Sequence, residues 1–302
     1  MRLFLYFLVL SAVFPSLSGC QLQQHPSTYT TFANYTGPSE FAAYWYQNQA
    51  EVSSYDLGIE QFGEFRRGEA VLIFSAKDIS KSEQVELTNP DLAGDDRVPV
   101  MKLNKYWRFN TGLSDCSLMG TVFTPIDLNL YPFTLKQTTT VQDWSGQDFL
   151  QLSRQEDGYD VKHLSYYQSG EDQDYSINPD LLEDEIFTRI RINPASVPSG
   201  EIEIVPGDFF RLAREPVKPK RARVQFLKSE ATTQCLVEYL HLNRTVRINF
   251  ETAFPHKILS WTEEQDQRVV VEGKLRKTVL DAYWEKNSGS CLPMRDSLEL
   301  MN

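Results

Sequence analysis

The chain has 302 residues, with 41 acidic against 30 basic side chains, a formal net charge of −11 and four histidines. Binding nucleic acid requires clustered Lys and Arg to neutralise phosphates. The one compact basic run, KPKRAR at 218–223, is short and lies among acidic stretches such as LLEDEIF. It reads as a solvated loop, so no nucleic-acid partner is expected.

The first residues carry the clearest signal. Arg2 precedes an apolar run from Leu3 to Phe14, too short for the roughly 20 residues a membrane span needs but suited to the h-region of a secretory signal, about 7–15 residues long. The run ends in Leu17-Ser18-Gly19-Cys20, which resembles the bacterial lipobox. Small residues there let a signal peptidase approach the backbone closely, and the cysteine thiol accepts the diacylglyceryl group. On this reading residues 1–19 are a lipoprotein signal peptide, cleavage falls between Gly19 and Cys20, and Cys20 is the lipid-attachment site, palmitate among its acyl chains. Three chains on one residue anchor firmly. The competing reading is a plain signal peptide with a coincidental cysteine. Gln21 follows the anchor in place of an aspartate, which by the enteric sorting rule places the protein at the outer membrane of a cell envelope, with the periplasmic or surface face left open.

Residues 20–40 form the lipidated N-terminus and a polar stretch rich in Thr, Ser, Gln and Pro, as a flexible tether would be. Tyr29, Phe32 and Tyr35 keep open an irregular first strand instead. From residue 41 the pattern changes. Phe41, Tyr44 and Trp45 fit one face of a short helix, and thereafter period two dominates. TVRINFE (245–251), EIFTRIRIN (185–193), EIEIV (201–205), RARVQFL (221–227) and TLKQTTTVQ (134–142) each alternate, the mark of strands with one buried and one wet face. Turn signals such as TNPDLAGDD, WSGQD, QEDGYD and VPGD separate them. NPDLLEDEIF allows a turn or two of helix capped by Asn178 with Pro179 at its first position, and LRKTVLDAYWEKN fits either a helix or a bent strand. The fold expected is mainly β: a large curved antiparallel sheet, half-barrel or open barrel, with one or two short helices. A single domain spans 41–290 and a C-terminal tail 291–302.

Catalytic signatures are sparse. The chain holds no G-x-S-x-G elbow, H-E-x-x-H pair, P-loop or G-x-G-x-x-G turn. His25 lies in the tether, and His163, His241 and His256 are scattered. A Cys116–His163 dyad would require the fold to bring the two together. Asp91, Asp95 and Asp96 are hard oxygen donors of the kind calcium uses, but their spacing matches no EF-hand and a turn explains them equally. No catalytic residue, metal or cofactor is assigned. Cys116, Cys235 and Cys291 allow one internal disulfide at most, and sequence does not choose it. Doubled aromatics such as Tyr44-Trp45-Tyr46, Tyr106-Trp107, Phe209-Phe210 and Tyr283-Trp284 put rings on opposite faces of a strand. The surplus rings either pack in core and surface or line an apolar cavity for acyl chains.

Several stretches, GEAVLIFSAKDISKSEQVEL (68–87), DDRVPVMKLN (95–104), FNTGLSDCSLMGTVFTPID (109–127), TTVQDWSGQDFLQL (139–152) and PHKILSWTEE (255–264), together resemble a family of lipoproteins from Gram-negative bacteria, chiefly of the Bacteroidetes group. Members carry the label "septum formation inhibitor", but the enzyme of that name resembles a small α/β pyrophosphatase with a Ser-x-Ser-Pro-Arg-Arg motif. That motif does not occur here, and the label is set aside. The succession from ARVQFLKSEATTQCLVEYLHLN (222–243) to TVRINFETAFPHKILSWTEE (245–264) is similar to the closing meander of periplasmic half-barrels that carry lipids or lipoproteins. That resemblance implies architecture more than activity. The function expected is a non-catalytic envelope lipoprotein binding a hydrophobic ligand or lipid, or alternatively an assembly lipoprotein binding envelope proteins, with a hydrolase as the remote case.

Overall fold

The computed structural model describes residues 39–166, 173–213 and 215–300. Gly19, Cys20 and the tether up to residue 38 lie outside the described residues. A first helix, α1 (Ser39–Trp45), leads into an eight-strand meander. Its strands are β1 (Ala50–Gln61), β2 (Glu64–Ser80), β3 (Arg97–Thr111), β4 (Ser114–Pro125), β5 (Lys136–Asp143), β6 (Gly146–Gln155), β7 (Gly158–Ser165) and β8 (Gln173–Ile177). There follow β9 (Leu181–Leu182), α2 (Glu185–Ile192), β10 (Gly200–Val205) and α3 (Asp208–Leu212). A second meander of β11 (Lys220–Lys228), β12 (Thr232–Tyr239), β13 (Arg244–Glu251), β14 (Ile258–Gln265) and β15 (Arg268–Asp281) completes the sheet.

The fifteen strands make one sheet in the order β8 to β1, then β15 down to β9. The two meanders join where β1 pairs antiparallel with β15, from Ala50 opposite Asp281 to Ile59 opposite Val271. The sheet is open between β8 and β9, and β9 pairs with β10 in parallel. This is the curved, open antiparallel architecture expected from the alternating sequence.

One segment departs from the period-two reading. Residues 185–192 form α2, and every side chain from Glu185 to Arg191 is buried. Strand-like alternation of Ile186, Ile190 and Ile192 against Arg189 and Arg191 does not mark a wet face here, because both arginines are neutralised inside the sheet's curl. Arg191 forks onto Glu51 of β1, with Nη1 and Nη2 donating to the two carboxylate oxygens at 2.6 and 2.5 Å. Arg189 pairs with Glu185 one turn back at 3.3 Å and donates to the carbonyls of Pro132 and Ser196. Nor does Asn178 cap a helix: Leu181 and Leu182 join the sheet, and the helix begins only at Glu185. Further on, β15 continues as strand to Asp281.

The hydrophobic core lies between α2 and the concave face. Trp107 and Trp261 stack with centroids 6.3 Å apart, and Phe187 of α2 meets Trp261 edge-on at 6.0 Å. Gly273 permits this, since a Cβ there would come within 2.3 Å of the Trp261 ring. An apolar hollow was one expectation, but α2 and its ion pairs occupy that volume. A separate, smaller apolar cluster sits on the outer face, where Trp284, Leu298 and Leu300 cover Ala50, Val52 and Val71. Both faces of β1 are consequently buried along most of its length.

Removing one partner of a fully buried pair strands the other charge, which costs about 3–5 kcal/mol. Arg191→Ala is therefore expected to lose that much in urea unfolding, whereas the double variant Glu51→Leu/Arg191→Met recovers most of it. Equal losses in the single and double variants would show that the pair does not organise the core.

Candidate functional site

Antiparallel alternation puts the β1–β2, β3–β4, β5–β6, β7–β8, β12–β13 and β14–β15 turns on one rim, together with the β10–β11 connection that carries α3. Below this rim the three consecutive acids of the β9–α2 junction reach three different walls. Glu183 accepts both guanidinium nitrogens of Arg244 and the Tyr239 hydroxyl, with Arg244 Nη2 at 2.7 Å from Oε1; Arg244 also reaches Glu263 at 2.5 Å. Asp184 takes Lys105 of β3 at 2.5 Å and Gln137 of β5 at 2.6 Å. Glu185 accepts from Thr134 and from the Leu182 amide. Asp208, opening α3, binds the same Lys105 at 2.7 Å and Thr139 at 3.0 Å. Gly207 lets α3 sit this close, because a Cβ there would fall 2.6 Å from Glu183 and 2.8 Å from Asp184.

Charge counting explains the titration of this cluster. Burial, and then the neighbouring Asp208 carboxylate, push Asp184 up to about 7, with Lys105 pulling the other way. Burial opposes the Lys105 charge, but its two carboxylates outweigh that and hold its pKa above the ordinary value. Glu183 is lowered, because Arg244 and Tyr239 overcome its desolvation. Such a network fixes α2 and α3 in place and offers no open side. The recess above it, lined by Arg211, Leu212, Asp148, Cys116 and Val141, is about 30 Å³, room for about one water.

The rim itself carries the unexpected feature. Phe62, Leu113, Trp144 and Tyr166, on four successive hairpins, are 75%, 83%, 64% and 71% exposed. The first three sit in two-residue turns closed by the Gln61–Glu64, Thr111–Ser114 and Asp143–Gly146 pairs, where Asn, Asp and Gly are the usual occupants. Phe62 and Gly63 both have positive φ, +55° and +75°, as a type I′ turn requires. A left-handed backbone costs a bulky L-residue about 1–2 kcal/mol, so Phe62 is held in strain while its ring faces solvent. Gly112 takes φ +69° and leaves Leu113 projecting. Asp143 Oδ1 accepts the amides of Ser145 and Gly146 at 2.6 and 3.1 Å, presenting Trp144 between them. The Trp144 amide donates to Ser114 Oγ at 3.3 Å, tying one tip to the next. The doubled aromatics of the sequence behave differently: Trp45, Trp107 and Phe210 are buried, and their neighbours Tyr44, Tyr46, Tyr106 and Phe209 pack at intermediate depth. FG and GL drew no turn reading and WSGQD was read only as a turn, although an apolar residue in a Gly- or Ser-containing turn was there to be seen.

The sequence-level candidates are dispersed. Cys116 on β4 and His163 on β7 are separated by β5 and β6; His163 Nε2 pairs with Asp148 at 2.7 Å, and burial pushes the Cys116 thiol up to about 12. Asp91 pairs with Arg97, while Asp96 accepts from Ser80 and the Ser82 amide. These acids hold a connection together. Cys116, Cys235 and Cys291 are free thiols. His241 lies in the β12–β13 turn and His256 in the β13–β14 turn.

Asp184 supplies a test. Its folded pKa lies above the value near 4 of an unfolded aspartate, so it contributes stability that is complete below about pH 4 and lost as pH rises through about 7. Glu51 and Glu183, lowered in the fold, act in the opposite sense. The unfolding free energy of the native protein minus that of Asp184→Asn should fall from pH 4 to pH 7. A difference independent of pH would remove the excess-carboxylate account.

No family profile matches the sequence, and no curated protein matches it. Among solved structures, the chain is similar to a beta-barrel-like protein of a domain of unknown function from Brucella abortus, at 11% identity and a TM-score of 0.48, over 77% of this chain and 98% of that one.

Proposed function

We propose that this chain is an envelope lipoprotein, anchored through Cys20 after cleavage behind Gly19, whose β domain binds through its surface and does not catalyse a reaction. One observation supports the reading above the others. Exposed apolar side chains cluster on the hairpin tips of a single rim, one of them in a strained backbone conformation, while the interior is filled by α2 and its ion pairs. A carrier of acyl chains needs an enclosed apolar volume of some hundreds of Å³, and the filled curl favours the assembly or surface-binding alternative. Strain at an exposed position is kept where it serves function, so the rim of Phe62, Leu113 and Trp144 is read as the contact surface.

Two measurements test this. In a Gram-negative host, fatty-acid labelling should mark the native chain and be lost in Cys20→Ser; label retained in that variant would sink the anchor. Residues 21–302 exported to a periplasm should then give the bare polypeptide mass by native mass spectrometry. Stoichiometric adducts of lipid mass would reinstate the carrier reading.

A further inference from the structure

We infer that the rim is a membrane-contact surface, and that Phe62, Leu113 and Trp144 seat in the interfacial layer of a zwitterionic bilayer, standing the sheet upright on it. This deepens the reading of the rim as the contact surface and rests on it.

Shape argues first. Neighbouring strands lie about 4.8 Å apart, so consecutive hairpin tips are spaced by about 10 Å. The β1–β2, β3–β4 and β5–β6 tips each carry one projecting apolar group, Phe62, Leu113 and Trp144, whereas the β14–β15 turn is Asp266-Gln267. A protein partner is normally met by a contiguous, close-packed patch, but isolated projections at the ends of stiff hairpins suit a fluid that closes around each one. Chemistry argues next. Trp and Tyr are the side chains enriched at membrane–water interfaces, where an amphipathic ring finds both phases, and Trp144 stands on the third tip with Tyr166 exposed beyond it. On the outer wall just below the Phe62 tip, Phe65 is also exposed, widening the apolar band there.

Charge fixes the kind of bilayer. Glu64 pairs with Arg66 at 3.1 Å and Arg67 with Glu272 at 2.7 Å, so the ions nearest the Phe62 tip are matched within the protein. Tips whose neighbouring ions are already paired gain little from anionic lipid. The opposite rim is different. Its connections carry Glu83, Asp91, Asp95, Asp127 and Glu156, and its exposed apolar residues, among them Leu92, Leu130, Leu227 and Tyr283, are set among acids rather than lined up on successive tight tips. That end is repelled by a negatively charged surface.

Reach is the last condition. α1 lies at the acidic end of β1, so the contour length between Cys20 and α1 must at least match the rise of β1 for the far rim to meet the membrane. β1 has 12 residues and rises about 40 Å. Residues 21–38 can span about 60 Å when extended, which is sufficient.

The test uses the full lipidated protein in phosphatidylcholine vesicles whose acyl chains carry bromine near the glycerol end. The emission of Trp144 is isolated as the difference between native protein and Trp144→Phe, and that of Trp284, at the opposite end, through Trp284→Phe. Bromolipid should extinguish the Trp144 contribution and leave that of Trp284 intact. Each apolar tip removed lowers partition of the rim about tenfold. Phe62→Asn/Leu113→Ser should therefore restore the Trp144 emission, and Asn suits the positive φ at 62, so folding is retained. Unquenched Trp144 that remains open to aqueous iodide in vesicles overturns the bilayer proposal. If Trp144 is then shielded from iodide in the intact cell envelope, the rim stands as a contact surface for a protein. If it is open there too, the contact-surface reading falls as well.

Discussion

A guanidinium buried at the centre of a β sheet determines much of this molecule. Arg191 sits with no solvent contact between Trp45 and Phe74, its charge answered by the Glu51 carboxylate in a two-point grip. A hydrophobic pair of similar volume would stabilise as well or better. A forked pair, however, is satisfied in one geometry only. Glu183, Asp184 and Glu185 do the same at the other end of α2, and being consecutive they must point in different directions. Each therefore finds a different wall: Arg244 of β13, Lys105 of β3, and Thr134 beside β5. The helix is fixed in rotation and depth, and the two meanders are held to one curvature around it.

That arrangement explains what could be read from the residues and what could not. Strands such as EIEIV, TVRINFE and RARVQFL follow their alternation because one face meets the core and the other meets water. In EIFTRIRIN the same alternation is present and the outcome is a helix. Period counting treats Arg189 and Arg191 as wet, and only knowledge of Glu51, 140 positions away along the chain, makes them buried. The acids of LLEDEIF are misjudged for the same reason, since partners on β3 and β13 cannot be seen from local pattern. The rim was hidden differently. Turn chemistry located one tip, at WSGQD, and passed over those beside Gly63 and Gly112, and reading turns as punctuation ignored the side chains they display. The lipobox-like stretch ending at Cys20, by contrast, is a purely local motif.

The two ends of the sheet follow from one topological fact. In an uninterrupted meander all odd-to-even turns share a rim, and all even-to-odd connections share the other. Here the first three turns of one set are tight with apolar tips, and the other set is acid-rich, with the long connection 81–96 and the two-residue turn Glu156-Asp157. A difference in loop chemistry that would be scattered in a Greek key is separated along one axis, and the domain becomes polar in the geometric sense.

The junction of β1 with β15 has its own consequence for how the chain reaches this state. Hairpins from β1 to β8 can zip as soon as they emerge, but one edge of β1 must wait for residues more than 200 positions later. Loop closure over such a separation is slow, and until it occurs a long, largely apolar strand offers unpaired amides to any neighbour. The C-terminal residues close that edge and, through Trp284, Leu298 and Leu300, also roof its outer face. Loss of even the last strand would thus leave the first one open on an edge and a face together, and chains stalled before that point are the ones most prone to associate with each other.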